Sequence, residues 1–164
     1  MNSQIVRYKR SILTALLALL ASAVVAHAND FAVQGSLAGH GIGVVEGGTL
    51  RATASGAGTA SHIGLFTYAL NATVDLASGN GGGVFLLVFS TGDVIYGSFV
   101  RQPTATPNVA EIIEHLTIIG GTGRFKGATG SLTIDRFVDL TTLPAFESHS
   151  GTLTGTISTP GSAK

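Results

Sequence analysis

Glu114 stands in an alternating run, Ile112, Glu114, Leu116 and Ile118, whose other members are all apolar. Arg136 holds the same place in Leu132, Ile134, Arg136, Val138 and Leu140. Alternate residues of an extended segment share one face, so each charge would point with its apolar neighbours into a core. A carboxylate buried alone is penalised by several kcal/mol or takes up a proton, and a guanidinium is its natural partner. The two residues therefore predict a buried ion pair, serving either as core packing or as the polar end of a ligand pocket. Packing is the commoner use of such a pair. Tyr68 shares a third face with His62, Phe66 and Leu70, which adds a hydroxyl and, at the mouth of that face, an imidazole.

Other chemistries lack their residue patterns. His40, His62, His115 and His149 form no H-x-H or H-x-x-x-H pair, so no metal site is expected. The chain has no cysteine, which removes thiol chemistry and disulfides together. There is no G-x-S-x-G nucleophile elbow and no G-x-x-x-x-G-K-[ST] phosphate loop, and no cofactor is expected.

The elements that must position these residues read as strands. Eight runs carry strand periodicity: Phe31–Leu37, Thr49–Ser55, His62–Val74, Val84–Ser90, Val94–Gln102, Glu111–Ile119, Ser131–Leu140 and Phe146–Ile157. Turn clusters separate them at Gly39–Gly48, Gly56–Ala60, Ser78–Gly83, Thr91–Asp93, Pro103–Pro107, Gly120–Gly130 and Leu143-Pro144. Val109–Leu116 could be argued as a short helix, but Ile112-Ile113 and the Thr-Ile-Ile that follows favour a strand. Eight short antiparallel strands with hairpin links can close into a barrel or split into a sandwich, and the expected all-β fold is a single eight-stranded, calycin-like barrel. Closure removes exposed edges, and the interior would be filled by side chains or hold one small ligand. An outer-membrane barrel would need a lipid-facing apolar belt with aromatic girdles. The outer faces here read as rich in Thr, Ser and Asn, with three Tyr and no Trp in the chain.

Residues 1–28 read as an address. Arg7, Lys9 and Arg10 precede an apolar stretch from Ile12 to Val25, and Ala26-His27-Ala28 has the form of an A-x-A cleavage site. The stretch is shorter than the roughly 20 residues that cross a bilayer. A secretory signal peptide is expected, with Asn29 as the mature terminus, residues 29–164 as one domain, and no stable membrane insertion after cleavage. The protein would be secreted, to a periplasm or beyond. Without the leader, Asp and Glu outnumber Lys and Arg, which argues against nucleic acid as a partner.

The segment Gly120-Gly121-Thr122-Gly123-Arg124-Phe125-Lys126-Gly127-Ala128-Thr129-Gly130 links two of the apolar runs. Its glycines suit sharp turns and close backbone approach, and Phe125 is the one large apolar anchor among them. The spacing G-G-[ST]-G-x-F-x-x-x-x-G resembles the signature of the barrel shared by allene oxide cyclases, plant dirigent proteins and small secreted bacterial proteins. Gly120, Gly121, Thr122, Gly123, Phe125, Ala128 and Gly130 fit the dirigent form, and Gly127 fits the cyclase form as well. The resemblance implies an eight-stranded antiparallel barrel in which this segment is a structural turn, with Arg124 and Lys126 solvated. In the cyclases a pocket cysteine assists closure of a fatty-acid epoxide, and this chain lacks it. Dirigent proteins hold a reactive phenoxy or quinone-methide species with acidic and basic pocket residues, which no flanking motif aligns here. Two functions remain. One is a non-enzymatic barrel binding a small apolar or phenolic ligand, as a monomer or a homo-oligomer. The other is an isomerase or cyclase using Glu114, Arg136 and Tyr68.

Overall fold

The computed structural model describes residues 28–106, 109–139 and 147–160. The predicted leader up to residue 27, the Pro107 end of one turn cluster, the Leu143-Pro144 turn and the Phe146 start of the last run lie outside the described residues. Eight strands follow in chain order: β1 (Ala28–Glu46), β2 (Thr49–Ala60), β3 (Gly64–Asp75), β4 (Gly81–Phe89), β5 (Val94–Thr106), β6 (Val109–Gly121), β7 (Thr129–Asp139) and β8 (Glu147–Pro160). Each pairs antiparallel with the next, and β8 returns to pair with β1, closing the barrel.

Alternation puts the core inside. In β3, Phe66, Tyr68, Leu70, Ala72 and Val74 are buried while the residues between them are exposed. Leu132, Ile134, Arg136 and Val138 of β7 are buried in the same alternating way. Val109–Leu116 is strand, paired to β5 and β7 on its two sides. The register of β5 against β6 shifts at Tyr96/Gly97, leaving Ile119 unmatched and exposed, as a β-bulge does.

Two predicted turns are strand for most of their length. β1 runs on through the first glycine cluster to Glu46, leaving Gly47-Gly48 as the turn, and β2 runs through Gly56 to Ala60. The reason lies on the neighbouring strand, where Gly56 pairs with Tyr68 and Gly58 with Phe66. A Cβ at Gly56 would lie 2.6 Å from the Tyr68 hydroxyl, and one at Gly58 would run into the Phe66 ring. These inward-facing glycines leave room for the aromatic side chains of β3. Nor are the outer faces uniformly polar as expected: Ile42, Val44, Leu65, Val84, Val100 and Ile119 are all exposed.

The Gly120–Gly130 segment closes one end of the barrel. Gly123–Phe125 forms a single 3-10 turn with Phe125 buried. Gly123 has φ +55°, a conformation that disfavours any side chain. The Phe125 ring packs on Phe89 at 4.7 Å between centroids. Arg124 is not simply solvated. Its guanidinium lies over both rings, donates to the Ile63 carbonyl at 3.0 Å and pairs with Asp93 at 3.3 Å. Arg124 thereby ties the β6–β7 connection to the β2–β3 and β4–β5 turns. Lys126 is exposed as expected.

Candidate functional site

Toward the opposite end, the barrel interior turns polar. Tyr68 from β3, Arg101 from β5, Glu114 from β6, Arg136 from β7, and Glu147 and His149 from β8 all occupy inward positions of their strands. Glu114 and Arg136 form the ion pair that the alternation predicts, with Arg136 Nη2 donating to Glu114 Oε1 at 2.7 Å and both side chains buried. A second carboxylate joins them, since Arg136 Nη1 lies 3.6 Å from Glu147 Oε1. That same oxygen sits 3.3 Å from His149 Nδ1, an ion-pair distance whose alignment falls short of a hydrogen bond. His149 Nε2 is hydrogen-bonded to the Tyr68 hydroxyl.

The glycines make this last contact possible. Tyr68 pairs with Gly56, Gly56 with Gly39, and Gly39 with His149 across four successive strands. Two positions without side chains thus separate Tyr68 from His149 along the wall, and the tyrosine reaches over both. Gly41 does the same for Glu147, its β8 partner, because a Cβ there would lie 2.7 Å from Glu147 Oε1.

Burial pushes the Tyr68 hydroxyl up to about 12 against the partial opposition of Arg136, so it stays neutral at physiological pH. For Glu147, burial acts upward, but the His149 imidazole and the Arg136 and Arg101 guanidiniums together hold the carboxyl below its ordinary value. Burial depresses the Arg101 guanidinium, and the neighbouring Arg136 adds to the effect. Arg101 Nε, Arg136 Nε and Nη1, and His149 Nδ1 are shut away from solvent without a hydrogen-bond partner. Among the described residues no group of three His, Cys, Asp or Glu is placed to hold a metal ion.

Three of the four residues expected at a pocket, Glu114, Arg136 and Tyr68, are brought together. His62 is not among them. It lies exposed in the β2–β3 turn at φ +64°, beside Phe31 and at the Arg124 end of the barrel. The strand it was expected to begin starts only at Gly64, so the alternation that places Phe66 and Tyr68 inward does not extend to it. Arg101, Glu147 and His149 were not singled out. The face test that marks Glu114 applies to Arg101 as well, which follows Ile95, Gly97 and Phe99. The outer residues of β5 include Val94, Tyr96 and Val100 and are equally apolar, so the two faces could not be told apart. In β8, Gly151 and Gly155 interrupt the apolar alternation that would have given His149 a face.

The interior next to Tyr68 and Glu114 holds a free space of about 20 Å³, walled by apolar side chains including Leu37, Phe66, Phe85 and Leu116. No family model matches the sequence, and a search of curated proteins finds no similar chain. Among solved structures, that of the pterocarpan synthase dirigent protein superposes with a TM-score of 0.53. The match covers 81% of this chain and 94% of that one at 14% identity. At that identity the likeness concerns the course of the backbone, and what it establishes is that this chain has the eight-stranded antiparallel barrel fold of the dirigent proteins.

Proposed function

We propose that the protein is a secreted, non-enzymatic barrel that binds a small apolar or phenolic molecule, whose oxygen is received by the cluster of Tyr68, Arg101, Glu114, Arg136, Glu147 and His149. One observation carries this reading: four buried donor or acceptor nitrogens of the cluster have no hydrogen-bond partner. Two of the four, Arg136 Nη1 and His149 Nδ1, still face Glu147 Oε1 at ion-pair distance, whereas Arg101 Nε and Arg136 Nε each carry a penalty of about 1–3 kcal/mol, which a purely structural ion pair has no need to maintain. A ligand oxygen would satisfy the guanidinium donors, and the apolar residues around them would cover the rest of the molecule. Fixed polar groups in an apolar surround are the usual anatomy of a small-molecule site. The similar solved structure is that of a pterocarpan synthase dirigent protein, a likeness of fold.

The free space beside Tyr68 admits about one water-sized group. A ring must therefore displace apolar side chains for its oxygen to reach Tyr68. Native mass spectrometry of protein purified from its own host tests the reading directly. A small molecule of defined mass should co-purify and should be lost in Arg136→Met. A ligand-free protein that also shows no heat of binding with a panel of phenols would overturn it.

A further inference from the structure

We infer that Tyr68, His149 and Glu147 form a proton relay that ionises an acidic O–H group of the bound molecule, a phenol or an enol. The inference rests on the binding reading above and gives that site a chemical act. The Tyr68 hydroxyl is hydrogen-bonded to His149 Nε2, and Glu147 Oε1 lies 3.3 Å from Nδ1 on the far side of the ring. With the hydroxyl donating, Nε2 is the bare nitrogen and Nδ1 carries the proton, facing a carboxylate. The lone pairs of Tyr68 Oη are then free to accept from a ligand O–H. In the transfer the ligand O–H bond breaks and its proton passes to Tyr68 Oη. The tyrosine's own proton moves to Nε2, giving an imidazolium beside Glu147 and a ligand oxyanion. The orphaned nitrogens of Arg101 and Arg136 are the donors available to that oxyanion. The reverse transfer restores every group, so no oxidant or other reactant is needed.

The neutral state of Tyr68 fits a shuttle rather than a resident base. Histidine is the side-chain type suited to hold the proton near neutral pH. His149 is faced by Glu147 of its own strand, Tyr68 of β3 and Arg136 of β7, with Arg101 of β5 and Glu114 of β6 behind them. Tyr68 touches the ligand, while His149 and Glu147 act through it.

Nitrogen NMR of the resting protein tests the relay without any ligand: Nδ1 should carry the proton and Nε2 should be bare. A protonated Nε2 on neutral His149 overturns the proposal, because Tyr68 then has no acceptor. The second measurement saturates the protein with para-nitrophenol and follows the yellow phenolate band against pH. Bound dye should ionise about one pH unit lower than free dye, a tenfold shift in its equilibrium. In His149→Gln and Tyr68→Phe, saturated with dye, that shift should vanish, and Glu147→Gln should reduce it. Dye that binds but ionises at its solution pH, or a shift kept in His149→Gln, overturns the relay and leaves the binding reading standing. If neither para-nitrophenol nor any other phenol binds, both fall together.

Discussion

Arg136 is bonded to one buried carboxylate and close to a second, and this asymmetry decides what each substitution should do. Replacing Glu114 with Leu leaves the guanidinium with Glu147 at 3.6 Å, whereas replacing Arg136 with Met takes the ion-pair partner from Glu114 and leaves Glu147 with His149 at 3.3 Å. Breaking a buried pair from one side is penalised by about 3–5 kcal/mol, and replacing both members by apolar residues recovers much of the loss. Arg136→Met should therefore be the more damaging single change, and the Glu114→Leu, Arg136→Met double variant should be less destabilised than the two singles added together. A double-mutant cycle in denaturant measures this, and small additive effects would mean that the pair contributes nothing as a pair. Tyr68 supplies a pH dependence of definite sign. Its pKa is raised from 10.0 to about 12 in the fold, so the fold favours the neutral hydroxyl. The stabilisation is fully present below pH 10 and is lost as pH rises toward 12, amounting to roughly 3 kcal/mol. Chemical denaturation of wild type between those limits should show the fall, and Tyr68→Phe should flatten it.

Among the elements, the β6–β7 connection has the clearest mechanical role. Phe125 is buried against Phe89, and Arg124 joins three turns at one end of the barrel. Phe125→Ala should destabilise by about 3–5 kcal/mol. Arg124→Ala removes a hydrogen bond, an ion pair and stacking on two rings, and should cost about 1–2 kcal/mol. Gly123→Val would force a branched side chain into φ +55° and into the Asp93 carboxylate, and should also melt early. Thermal unfolding of the three variants gives the ranking, and parental melting in all of them would deny the segment its structural role. The glycines of β1 and β2 show the limit of reading elements one at a time. In a single strand they look like punctuation, while in the barrel they are the floor beneath Tyr68 and Phe66.

At the scale of the whole molecule, the proposed export signal and the barrel closure meet at one end of β1. Cleavage after Ala28 would remove one residue from a strand that pairs with β8 from Ala28 to Gly41, so the mature chain would keep the closing seam. The expected outcome is an exported protein beginning at Asn29, checked by N-terminal sequencing. Retention of Met1 in a membrane fraction would contradict it.

The sequence by itself determined the strand count and the burial of Glu114 and Arg136. Both follow from an alternation with period two that is local to one segment, and in β3, β6 and β7 one face is decisively apolar, whereas the barrel class came from the advantage of closing the edges and from the resemblance carried by Gly120–Gly130. The sequence also marked the Gly120–Gly130 turn, whose anchor and glycines lie within eleven consecutive residues. What only the tertiary structure decided is who meets whom across the interior. Register and closure bring Tyr68 to His149 past two glycines, and bring Glu147 to both His149 and Arg136. The same closure leaves His62 outside on a turn. Such contacts depend on which residues are missing from the intervening strands, and no single strand carries that information.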